Sequence, residues 1–241
     1  MLQMGFLKLL HGADMRENAE KYGIPVEVIN GTFNMAHPDR GIREEGIRRF
    51  EILCRAAKEL GAKYISLCSG TRNADHLWSP HPDNDTQEAW NDMLDTVSRC
   101  TKIAEACGII LAVESEASNI ISTPERARCM MDAVGSPNLK MILDCANLFH
   151  AGEAHKENVR ATLEHAFALY GHDIVLAHGK DISEGEGISF CGTGRGIVDF
   201  AYTAKLLNEY NFAGDMFLHG IYDEDDMVRA KEHWLTASDN I

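Results

Sequence analysis

The chain has 241 residues, 45% of them hydrophobic, enough for one well-filled core and within the range of a single α/β barrel domain spanning 1–241. Its formal net charge of −14, without a cluster of Lys or Arg, argues against a surface that holds a phosphate backbone, so no nucleic-acid partner is expected. No stretch has the apolar length of a membrane span and the start lacks the order of a signal peptide, so the reading is a cytoplasmic protein whose seven cysteines, without a CxxC pair, are reduced thiols.

Residues 1–22 form a poorly defined N-terminal segment. From there strand-like runs alternate with amphipathic helices. The order is a strand at 25–30 (PVEVIN), a helix at 41–60, a strand at 63–68 (KYISLC), a helix at 86–107 and a strand at 109–115 (IILAVES). A helix at 123–134, a strand at 139–145 (LKMILDC), a helix at 157–170, a strand at 173–178 (DIVLAH), a helix at 200–210, a strand at 215–221 (DMFLHGI) and a helix at 223–238 complete it. In the first helix Ile42, Ile47, Phe50, Leu53 and Ala57 recur at helical spacing and mark the buried face. Gly61, Gly108, Gly135 and Gly171 stand where left-handed helix stops are needed.

The strands are near-continuous in apolar residues, as strands of a parallel sheet covered on both faces are. The Gly-rich dinucleotide turn of an open doubly wound sheet is absent, because GTGRG at 192–196 follows a polar loop. The fold class is therefore α/β, a TIM-type barrel with about six recognisable strands, apparently lacking the first one or two β–α units. An open side of that kind invites a neighbouring copy, so a homo-oligomer is expected, with the apolar 4–10 (MGFLKLL) covering part of the gap.

In such a barrel, polar residues at the C-terminal strand ends face the site. Glu114, Asp144 and His178 close three successive strands, and His219 sits in the last. Mixed oxygen and nitrogen donors suit one divalent ion, Mn, Zn, Co or Mg. Asn34, His37, Arg72, Trp78, His81, Asn147, Asp181 and Arg195 lie on the loops beyond and are candidate substrate contacts, an Arg being able to grip a phosphate or carboxylate through two bonds. Lys180 follows His178 closely enough to polarise a carbonyl or orient a hydroxyl.

The motifs GTFNMAHPD (31–39), CSGTRN (68–73), LWSPHPDN (77–84), VESEASN (113–119), LDCANLF (143–149), AHGKD (177–181) and GTGRGIVDF (192–200) resemble the xylose isomerase-like barrels, in particular a sugar phosphate isomerase/epimerase subgroup related to D-tagatose 3-epimerase and endonuclease IV. The resemblance runs from Gly23 onward. It implies a Glu–Asp–His metal set at Glu114, Asp144 and His178. It also implies proton transfer next to the carbonyl of a sugar or sugar phosphate through a metal-stabilised enediolate, with Glu114 as base. The family's second ligand Glu is missing, and His219 is the nearest substitute as fourth ligand or acid. Asn147 stands where the DNA-repair branch has a further His, which sets that branch aside. A metal-dependent lyase or dehydratase, and a truncated, catalytically impaired barrel, are the alternative readings.

Overall fold

A computed structural model of the chain describes residues 12–239; the proposed cover at 4–10 lies outside the described residues. The elements run α1 (Gly12–Tyr22), β1 (Val28–Asn30), α2 (Arg40–Leu60), β2 (Tyr64–Cys68), α3 (Gln87–Cys107), β3 (Ile110–Glu114), α4 (Pro124–Val134), β4 (Leu139–Asp144), α5 (Val159–Tyr170), β5 (Ile174–His178), β6 (Asp181–Ile182), β7 (Phe190–Cys191), α6 (Phe200–Glu209), β8 (Asp215–Phe217) and α7 (Glu224–Ser238). They fall into two compact units, one of residues 12–114, 118–121 and 129–140, the other of 115–117, 122–128 and 141–239.

In the first unit β1, β2 and β3 are parallel, with Asn30 level with Ser66 and Cys68 level with Glu114. The Leu111 N–H donates to the Asn138 carbonyl at 2.8 Å, so the chain enters β4 alongside β3. Ile65, Leu67, Leu111 and Val113 are buried, as are Ile47, Phe50 and Leu53 of α2 and Met93 and Val97 of α3. Each such side chain contributes about 1.5–3 kcal/mol when withdrawn from water. The buried face of α2 runs Arg43, Gly46, Ile47, Phe50, Leu53, Cys54, Ala57. Ile42, expected on that face, is 48% exposed, and Arg43 takes the inward position because it has an ion-pair partner inside.

In the second unit Ile142, Leu143 and Asp144 of β4 lie level with Leu176, Ala177 and His178 of β5, and β8 extends the parallel set with His178 level with Phe217. Leu143, Leu176 and Ala177 are buried, together with Leu163 and Phe167 of α5 and Phe200 and Leu207 of α6.

Helix ends follow local chemistry. The Asp39 carboxylate accepts the Gly41 N–H and starts α2, and Gly61, at φ 79°, ends it by donating to the Ala57 and Lys58 carbonyls. Gly108 and Gly135 take the same left-handed form, at φ 73° and 62°. Gly171 does not: it is right-handed at φ −54°, and a short 3-10 turn, Gly171–Asp173, leads into β5. The first strand begins only at Val28 because the Glu27 carbonyl accepts from both Lys63 and Tyr64, at 3.1 and 3.2 Å, which opens the ladder there. The last strand ends at Phe217, four residues early, where its carbonyl accepts the Gly179 N–H and the chain turns through Gly220 at φ 71°. Helix α1 and the β6–β7 hairpin were not anticipated. No helix among the described residues is long and apolar enough to cross a membrane.

Candidate metal centre and its surroundings

In the first unit the loops after β1, β2 and β3 are bound together by side-chain amides. Asn34 accepts through Oδ1 from the Ala36 and Thr71 N–H groups, at 3.2 and 2.9 Å, and donates to the Asn73 carbonyl at 3.2 Å. Gly70 packs so closely on Asn34 that no Cβ fits, and its φ of 82° suits glycine. Asn84 accepts the Arg72 N–H at 2.7 Å and donates to the Ser118 carbonyl at 3.0 Å, while Asn119 accepts the Gly70 N–H at 2.9 Å. His37 is occupied at both ring nitrogens, Nδ1 accepting the Asp39 N–H at 3.0 Å and Nε2 facing the Ala74 carbonyl at 3.3 Å.

Arg72 is buried, and its guanidinium lies 2.7 Å from Asp92 and 3.5 Å from Glu88. Asp92 also pairs with Arg43 at 2.8 Å, and both arginines donate to carbonyls of the 36–38 segment. These motif residues thus hold the loop framework. His81 caps the 3-10 turn Pro82–Asp85, its Nδ1 accepting the Asp83 N–H at 3.2 Å, and Trp78 is largely exposed. Glu114 ends β3 half-buried, with Cys68 Sγ 4.0 Å from its Oε2.

In the second unit five of the predicted residues come together. Asp144 and His178 end adjacent strands at the same level, so both side chains reach the same height. Asp144 is almost wholly enclosed. Its Oδ1 accepts the Ala146 and Asn147 N–H groups, at 3.0 and 3.2 Å, which fixes the carboxylate plane. Its Oδ2 is then presented 3.7 Å from His178 Nδ1 and 3.1 Å from Lys180 Nζ. Lys180 donates to Asn147 Oδ1 at 2.6 Å, so the Asn147 amide joins the same group. His219 stands two residues past the end of β8, exposed, its ring stacked on His178 with centroids 5.3 Å apart and planes 10° from parallel.

Asp181 and Arg195 have other partners. Asp181 is fully buried and accepts from three backbone N–H groups, Ile182 at 2.8 Å, Gly196 at 2.8 Å and Val198 at 3.0 Å. That is what folds the GTGRG loop back on β6, and a Cβ at Gly196 would strike Asp181 and the Ile182 carbonyl. Arg195 forms an exposed ion pair with Asp226. Phe190, which no sequence pattern marks, has its ring centroid 4.0 Å from Lys180 Nζ. A cavity of about 570 Å³ in this unit is lined by Leu207, Phe212, Met216 and Trp234 and touches none of the predicted site residues.

Among the described residues, the group of side chains able to offer an ion three donors is Glu114, Asp144 and His178, one atom each.

The family described as "Xylose isomerase-like TIM barrel" matches residues 8–237. Solved structures agree. The IOLI protein with a bound zinc atom superposes with a TM-score of 0.75 at 21% identity, covering 97% of this chain and 84% of that one. D-Psicose 3-epimerase with D-tagatose, from Clostridium cellulolyticum, gives 0.70 at 18% identity, covering 96% and 83%. A probable 3-DHS dehydratase from Bacillus anthracis gives 0.70 at 14% identity, covering 94% and 82%. No curated relative matches the sequence.

Proposed function

Because the chain belongs to the xylose isomerase-like TIM-barrel family, we propose that it is a divalent-metal-dependent isomerase or epimerase of a sugar or sugar phosphate, with Glu114, Asp144 and His178 as the metal ligands. The observation that carries this reading is the pair Asp144–His178 at level strand ends, with the carboxylate oriented by two backbone N–H groups so that its second oxygen faces His178 Nδ1. The donor chemistry fits: carboxylate oxygens with an imidazole nitrogen suit Zn, Mn, Co or Mg, and second-sphere bonds that fix a ligand's orientation are what such sites use. Similarity to a zinc-bound protein and to sugar epimerases supports the same chemistry.

A bound metal supplies Lewis acidity toward carbonyl and hydroxyl oxygens. The chain's own residues do the rest. Glu114, at the end of β3, accepts the proton from the carbon beside the carbonyl. Lys180, an enclosed cation, offers charge to a substrate oxygen. Exposed His219 is assigned as the donor on the other face, since an imidazole releases and takes protons near neutral pH. Asn147 reaches the site through Lys180.

The test is incubation of the zinc- and manganese-loaded chain with ketohexoses and their phosphates in D₂O. The reading expects deuterium at the carbon next to the carbonyl, an epimer or isomer as product, and loss of both in Glu114→Gln. Water elimination with no epimer would replace it with the dehydratase alternative.

A further inference from the structure

The β6–β7 hairpin begins one residue after Lys180, and its second strand carries Phe190 back over that side chain. Lys180 is only 8% exposed, whereas Phe190 is 42% exposed, so the ring stands between a buried ammonium and solvent. The ammonium lies 3.1 Å from Asp144 Oδ2, 2.6 Å from Asn147 Oδ1 and 4.0 Å from the centroid of the Phe190 ring. The amide is itself anchored, because the Asn147 N–H donates to Asp144 Oδ1 at 3.2 Å. The base of the hairpin is pinned by the buried Asp181.

We propose that Phe190 and Asn147 are positioning residues that hold the Lys180 ammonium on Asp144, and that this built-in cation weakens the site's hold on a divalent metal. The inference rests on the metal reading above. A carboxylate shared by an ammonium and a dication brings two positive charges within a few ångströms, and enclosure keeps water from screening them. The ring face attracts the ammonium and shuts it off from solvent, so the lysine does not swing away at little cost. Asp144 is thereby neutralised before metal enters, and part of the metal's binding energy is spent against the lysine charge.

The experiment is zinc affinity of the full chain, measured by competition with a chromogenic chelator at fixed pH. Lys180→Met should bind zinc at least about tenfold more tightly than the wild type. Phe190→Leu, which removes the ring but keeps an apolar cover, should tighten binding severalfold, and Phe190→Tyr, which keeps the ring, should match the wild type. In the Lys180→Met background, Phe190→Leu should add nothing, because its effect runs through the lysine. Unchanged or weaker affinity in Lys180→Met overturns the inference while zinc on the wild type keeps the metal reading. An undiminished Phe190→Leu effect without the lysine overturns it too, since a merely structural ring would act in both backgrounds. No zinc on any variant removes the metal reading and this inference with it. If Lys180→Met does not fold, the contrast between Phe190→Leu and Phe190→Tyr decides, equal affinities overturning the proposal.

Discussion

Asp144 carries two duties that a single substitution can separate. Its Oδ1 caps the turn after β4, and its charge faces Lys180 and His178. Asp144→Ala removes both, leaving a buried ammonium without its carboxylate, and should cost about 3–5 kcal/mol of stability. Asp144→Asn keeps an acceptor for the two N–H groups but not the charge, and should lie between wild type and Ala. Urea denaturation with zinc stoichiometry checks this: neither variant should hold zinc, and an Ala variant as stable as the wild type would refute the dual role. Asp181 behaves differently. With three backbone N–H groups depending on it, Asp181→Ala should cost about 2–4 kcal/mol and blur the GTGRG loop. Metal binding by the folded fraction should survive. The sequence made Glu114, Asp144 and His178 visible because strand-end polar residues interrupt apolar runs. It could not separate Asp181 from Lys180, two adjacent polar residues of which one turns to the candidate site and the other to the backbone. Nor could it show that Arg72 is paired inside with Asp92.

At the level of elements, α2 and α3 are joined by Arg99, which reaches Glu44 through two bonds at 2.8 and 2.7 Å. The Arg99 hydrogen bond holds the Glu44 carboxyl down to about 2, and Arg48 and Arg49 hold Glu45 to about 2. A carboxyl whose folded value is depressed contributes stability that is present above its ordinary value, 4.5, and lost as pH falls through the folded value. Thermal midpoints should therefore fall between about pH 4.5 and 2. That fall should be shallower in Glu44→Gln/Glu45→Gln; an identical acid limb would contradict the assignment. Both glutamates are half-buried and still reached by solvent, so the effect should shrink in salt. Most helices and strands could be read from period and from glycine stops. The exceptions have physical reasons. Each strand of the β6–β7 hairpin has two residues, too few to show alternation, and Gly171 ends its helix by a 3-10 turn that needs no left-handed residue. The last strand reads to 221 in sequence because Leu218 and Ile221 prolong its apolar run on either side of His219, although its pairing stops at Phe217.

For the whole molecule, the six parallel strands expected from sequence are present, and membership of the barrel family was legible from motifs that turn out to tie loops together. Thiol reactivity reports how the whole chain opens. Of the seven cysteines, Cys129 is exposed, Cys107 and Cys191 are half-buried, and the others are buried. Burial pushes the Cys54 and Cys145 thiols up to about 12, which removes the reactive thiolate. Native protein should label at Cys129 first, then at Cys107 and Cys191, with the rest appearing together on urea unfolding. Early labelling of Cys145 would show that the second unit opens locally. The central claim, one divalent ion held by three strand ends, is tested most directly by a zinc-soaked crystal and its anomalous difference map. The account predicts one strong peak, about 2.0–2.2 Å from a carboxylate oxygen of Glu114, one of Asp144 and a ring nitrogen of His178. A peak elsewhere, or none with zinc in excess, would contradict it.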